Sequence, residues 1–186
     1  PEFAAAKAAG IPMLTRAELL GQIMRNYNTP IAVSGTHGKT TTTSMLSHIL
    51  MAADCDPTIS VGGILPSIGG NIRVGHSETF LTEACEYTNS FLSFFPKIGI
   101  ILNMDADHLD FFKDIDDIRH SFREFARLLP ADGMLIINAD TPKYDYVTEA
   151  LAAKLSPTRW RIRLSLIIPL PTSPTMSSIT RPRLHP

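Results

Sequence analysis

Six residues set between an apolar run and a helical pattern, GTHGKT at positions 35–40, carry groups suited to phosphate chemistry. Gly35 and Gly38 let the backbone turn tightly and present its N–H groups. Lys39 has the reach for β- and γ-phosphate oxygens, and the Thr40 hydroxyl suits Mg²⁺. The usual phosphate-loop pattern has one more glycine, where this chain has Val33. Glu83 follows the run TFLT, which sets a carboxylate near a strand's carboxyl end, where open α/β sheets bind ligands. A hard oxygen donor there suits Mg²⁺. His108 follows IGIILN in a loop dense in acid, with Asp105, Asp107 and Asp110 around it. Each feature has a plainer reading: an ordinary turn, a solvated strand end, a histidine capped by neighbouring aspartates. Strand, two glycines, lysine, threonine and helix in that order favour a phosphate site, and beside it Glu83 and His108 gain weight.

These residues need elements to hold them. IAVSG reads as a buried strand and TTTTSMLSHILMA as a helix, so the glycines fall at a strand-to-helix turn, and the helix N-terminus adds partial positive charge. TFLTEA is followed by a short helical SFLSFF, IGIILN by the helix DIDDIRHSFREFARLL, and GMLIIN comes last. The alternation predicts an α/β fold, a mostly parallel sheet flanked by helices with the phosphate loop in it. IGIILN is apolar on both faces, as a strand covered from both sides should be. Residues 1–28 read as short helices broken by Gly10, Pro12 and Thr15. The glycine-rich VGGILPSIGGNIRVG reads as a flexible surface loop. Thr41 to Thr43 read as helix surface and packing, His48 as surface, and Cys85 as a small packing residue.

Composition narrows the classes. At 186 residues and 44% hydrophobic content, the chain can bury one ordinary core. Lys plus Arg number 17 against 18 Asp plus Glu, a net charge of −1, so bulk charge argues against nucleic acid or an anionic membrane as partner. Any anion must be recognised locally. Cys55 and Cys85 form no CxxC pair or disulfide framework, which predicts reduced thiols. The longest late apolar run, residues 164–170, falls well short of the ~20 residues of a membrane span. A cytoplasmic chain is expected.

GTHGKTTTT resembles the shorter G-[ST]-x-G-K-[ST] loop of the Mur ligase family, whose members join a carboxylate to an amine using ATP. TEACEYTNSFL and ILNMDADHLDFF resemble that family's acidic and DH-containing motifs, and PEFAAAKAAGIPMLTRAELL resembles the end of its UDP-binding first domain. The match is nearest to the member acting on UDP-N-acetylmuramate and L-alanine. The resemblance implies ATP and Mg²⁺ as cofactors, with Gly35, Thr36, His37, Gly38, Lys39, Thr40 and Thr41 at the nucleotide. It implies Thr40, Glu83 and His108 at magnesium, and Lys39, His108 and Glu83 as the catalytic set. Asn138 and Asp140 resemble the adenine-side NxD stretch; Glu86 is a weaker metal or substrate contact, and His76 a candidate to help hold the nucleotide sugar. A plain phosphate-loop ATPase or kinase, a non-catalytic nucleotide-binding fragment, and ligases acting on murein peptides or folate are the competing readings.

By the same resemblance, residues 1–28 are a remnant of the first domain with its linker, 29–150 a partial ATP-binding middle domain, and 151–186 a departure from the pattern. Residues 150–186 contain no acid, and six of the 14 prolines fall in 157–186, which argues against strands there. A disordered basic tail and a shifted reading frame are the two accounts of that stretch. A chain lacking most of the other two domains is expected to be inactive as a ligase.

Overall fold

The computed structural model describes residues 1–149 and 151–156. Both accounts of the tail concern residues almost wholly outside that range. Seven strands form one sheet: β1 (Thr29–Ser34), β2 (Thr58–Leu65), β3 (Gly70–Arg73), β4 (Thr79–Glu83), β5 (Ile98–Ile101), β6 (Met134–Ile137) and β7 (Lys154–Ser156). Their order is β3-β2-β4-β1-β5-β6-β7, parallel throughout except for the β2–β3 pair. The mostly parallel α/β sheet expected from the alternation is therefore present.

β1 lies between β4 and β5, with Val33 opposite Glu83 on one side and Ile100 on the other. Its side chains divide between two cores. Ala32 joins a large cluster with Phe80, Phe91, Phe122 and Phe125, while Ile31 and Val33 join Leu81 on the opposite face, under Leu46 and Leu50 of α3 (Lys39–Ala52). A strand buried on both faces has no polar alternation to show, which explains its continuous apolar run.

The large cluster is capped by α4 (Ile115–Arg127), whose Ile118, Phe122, Phe125 and Ala126 are buried at helical spacing. The Asp114 carboxylate accepts from the backbone N–H groups of Asp116 and Asp117, and Arg127 stands in the last turn, so both helix ends are complemented. Phe91 stacks on Phe125 with ring centroids 4.8 Å apart and meets Phe122 edge-on at 5.5 Å. Truncating any one of these rings to alanine costs about 3–5 kcal/mol.

The early residues form α1 (Glu2–Ala8) and α2 (Arg16–Met24). Thr15 breaks the chain by capping α2: its hydroxyl accepts from the Glu18 N–H while the Glu18 carboxylate accepts from the Thr15 N–H. α2 docks on the 3₁₀ segment Tyr87–Ser93, so closely that a side chain at Gly21 would collide with the Ser93 carbonyl. The short helix α5 (Tyr144–Thr148) packs on α4.

Three local expectations are corrected. Residues 61–75 are not a flexible loop: β2 runs to Leu65, a 3₁₀ turn at Pro66–Ile68 ends at left-handed Gly69 (φ 71°), and β3 returns antiparallel. The glycines conceal the strand because they carry no side chain to show alternation, yet their backbones still pair. β7 forms within residues 151–186, the stretch set apart as a departure from the pattern, on residues before Pro157, where every N–H is available for the ladder. Cys85 is exposed rather than packed, and Cys55 and Cys85 are both free thiols.

Candidate phosphate and metal site

β1 ends at Ser34 and α3 begins at Lys39, so the turn 35–38 lies at the carboxyl edge of the central strand and at a helix N-terminus. Gly38, at the N-cap, is left-handed with φ 85°, and Gly35 has φ 141°. A Cβ on Gly35 would lie 3.0 Å from the Leu102 Cβ and 3.2 Å from the Asn103 nitrogen, so both conformation and space require glycine. Asn103 clamps the turn from the neighbouring strand end. Its Oδ1 accepts from the His37 N–H at 2.8 Å and its Nδ2 donates to the His37 carbonyl at 3.0 Å. The Asp105 N–H donates to the Thr36 hydroxyl at 2.9 Å, while the Thr36 N–H donates to the Asn103 carbonyl. The result is a preformed concavity of about 290 Å³ lined by residues 36–41.

Lys39 is folded back onto its own loop. Its Nζ donates to the Gly35 and Thr36 carbonyls at 2.6 and 3.2 Å and to Glu86 Oε2 at 2.8 Å. Glu86 is 1% exposed, and its other oxygen has no hydrogen-bond partner among the described residues. The His108 Nε2 lies 3.8 Å from that oxygen. His108 has φ 52°, with its ring against Tyr87 at 4.6 Å between centroids. Tyr87 donates to Asp110 at 2.8 Å, a bond that raises the phenol above its ordinary pKa. The backbone N–H of His108 donates to the Asp107 carboxylate.

On the other side of the loop, the Thr40 hydroxyl donates to Glu83 Oε2 at 2.9 Å, and Glu83 Oε1 accepts from the Gly62 N–H at 2.6 Å. The hydroxyl and carboxylate oxygens fit a hard cation beside a polyphosphate. Among the described residues no three His, Cys, Asp or Glu side chains gather into a cage. A cation at Thr40 and Glu83 would complete its shell with phosphate oxygens and water, as Mg²⁺ commonly does. The glycine cradle and the helix start likewise fit a nucleotide's phosphates.

The family model described as Mur ligase middle domain matches residues 33–161. The chain belongs to the Mur ligase family. A UDP-N-acetylmuramate–L-alanine ligase of Agathobacter rectalis is 69% identical over 155 residues, covering 83% of this chain and 34% of that protein. The chain thus spans about a third of the length of such relatives. Among solved structures, a UDP-N-acetylmuramate-alanine ligase from Thermotoga maritima is 27% identical, with TM-score 0.70, covering 85% of this chain and 36% of that one. A UDP-N-acetylmuramate:L-alanyl-gamma-D-glutamyl-meso-diaminopimelate ligase from Neisseria meningitides is 25% identical, with TM-score 0.73, covering 82% and 53%.

Within this Mur ligase domain the expected residues divide. Gly35 to Thr41 lie together, and Thr40 touches Glu83; His108 instead faces Glu86. Asn138 directly follows β6, with its N–H on the Ile101 carbonyl and its side chain accepting from the Asp140 N–H. His76, 92% exposed at its side chain, pairs with Asp56, and the His48 ring lies 3.5 Å from the Ser67 hydroxyl. Thr43 is buried in packing and Thr41 is exposed. Sequence reasoning missed Asn103 and underrated Glu86. The signal for Asn103 was its place directly after an apolar strand, as for Glu83; Glu86 had none, since only folding sets it against Lys39.

Proposed function

We propose that this domain is the nucleotide-binding part of an ATP-dependent ligase that joins L-alanine to UDP-N-acetylmuramate in cytoplasmic peptidoglycan synthesis. The observation that carries the reading is the preformed loop with Thr40 and Glu83 in contact at its head. The substrate choice rests on the 69% identity to the Agathobacter rectalis protein of that name. ATP would convert the lactyl carboxylate to an acyl phosphate, which the amine of L-alanine attacks with release of phosphate. The loop N–H groups and Lys39 would neutralise phosphoryl oxygens, and donors already fixed in place need no reorganisation to do so. Thr40, Glu83 and His108 would hold Mg²⁺, which draws the two anionic reactants together. Asn138 would lie on the adenine side, and residues 1–28, 29–150 and 151–186 would be linker remnant, middle domain and divergent tail.

Because the chain spans about a third of such ligases, we propose that alone it binds nucleotide but does not ligate. Calorimetry with Mg²⁺ and ADP tests the first half: Lys39→Met should weaken binding about 100-fold, the scale of a lost charge-assisted contact to phosphate. A folded parent chain that binds no ADP would overturn the reading. Ligation of L-alanine to UDP-N-acetylmuramate by the 186-residue chain would overturn the second half.

A further inference from the structure

Glu86 is a buried carboxylate that the proposed chemistry leaves without work. Its partner is the lysine that nucleotide phosphates would need, at 2.8 Å, and its side chain is 2% exposed. Drawing Lys39 away would strand a negative charge out of water, which is costly unless another cation replaces it. The unpartnered Oε1 lies 3.8 Å from Nε2 of His108, one of the three residues proposed for the cation.

We propose that Glu86 is a positioning residue that parks Lys39 and makes nucleotide binding depend on a divalent cation. The inference rests on the phosphate-loop reading above. Without a cation, phosphates compete with Glu86 and the Gly35 and Thr36 carbonyls for one ammonium group. With a cation near Glu86, the carboxylate stays compensated and Lys39 is free to turn to phosphate. Coulomb compensation acts through space in a poorly hydrated pocket, so the cation need not be bound by Glu86 itself.

The experiment is calorimetric titration of ADP into the 186-residue chain, in Mg²⁺ and in chelator, for the parent and Glu86→Gln. Glu86→Gln removes the charge and keeps the shape. The ratio of the two affinities is the readout, because general loosening of the fold lowers both together. Neutralising Glu86 should shrink that ratio roughly tenfold or more, chiefly by tightening cation-free binding. An unchanged ratio in a variant that melts like the parent overturns the proposal alone. ADP binding by neither chain, under either condition, overturns the phosphate-loop reading with it.

A second measurement needs no variant: ¹⁵N NMR of the Lys39 side-chain amine in the parent chain. The signal should hold its position when ADP is added in chelator and move when Mg²⁺ follows. Movement with ADP alone overturns the proposal.

Discussion

Asn103→Ala would test whether the phosphate loop is held ready by the neighbouring strand end. Two hydrogen bonds disappear, from the His37 N–H at 2.8 Å and to the His37 carbonyl at 3.0 Å. Each is worth about 0.5–1.5 kcal/mol net, so the loop loses about 1–3 kcal/mol of ordering. The Thr36 bonds to residues 103 and 105 are backbone or hydroxyl contacts that the substitution leaves in place, which keeps the loss near the middle of that range. About 2 kcal/mol corresponds to roughly 30-fold weaker ADP binding if the loop must be reordered by the ligand. The freed His37 groups are exposed and regain water, so the thermal midpoint should fall less than the affinity suggests. Asn103→Asp adds a contrast: it keeps an acceptor for the N–H but sets a carboxylate oxygen against a carbonyl and near the phosphates, so it should bind no better than alanine. Calorimetry in Mg²⁺ with a parallel melting curve measures both quantities. ADP affinity within about twofold of the parent, in a folded Asn103→Ala chain, would refute the clamp.

Other substitutions separate site from scaffold. In Gly62→Ala the new Cβ would lie 2.9 Å from Glu83 Oε2, and the flexible carboxylate would swing from Thr40; Mg²⁺-dependent ADP binding should weaken several-fold with little change in melting. Gly21→Ala drives a methyl into the Ser93 carbonyl, a backbone group that cannot step aside, so it should destabilise by about 3 kcal/mol or more in denaturant titration while a folded fraction still binds ADP. The Asp56 carboxyl is held down at about 2 by the hydrogen bond from Arg73 and then by those from His76. A depressed folded value stabilises above the unfolded pKa near 4, and that contribution is lost as pH falls toward 2. Asp56→Asn should therefore flatten the stability profile between about pH 4 and 2, as followed by melting at each pH.

The sheet was largely legible because its central strands are apolar on both faces and alternate with long helical patterns. β1 and β5 read clearly for that reason, as did α4 with its buried stripe and its Asp114 cap. The β2–β3 hairpin was not, since Gly62, Gly63, Gly69 and Gly70 erase the side-chain alternation on which a strand reading depends.

For the site, the sequence alone determined the loop. GTHGKT between strand and helix supplies two glycines for a tight turn and places an ammonium and a hydroxyl at a helix start. Tertiary structure decided the partners. Parallel pairing of β1 with β4 and β5 brings three strand ends side by side, so Glu83, Glu86, Asn103 and His108 converge on residues dozens of positions earlier. Hydrogen bonds and charge compensation act over a few ångströms, and those separations exist only once the sheet has formed.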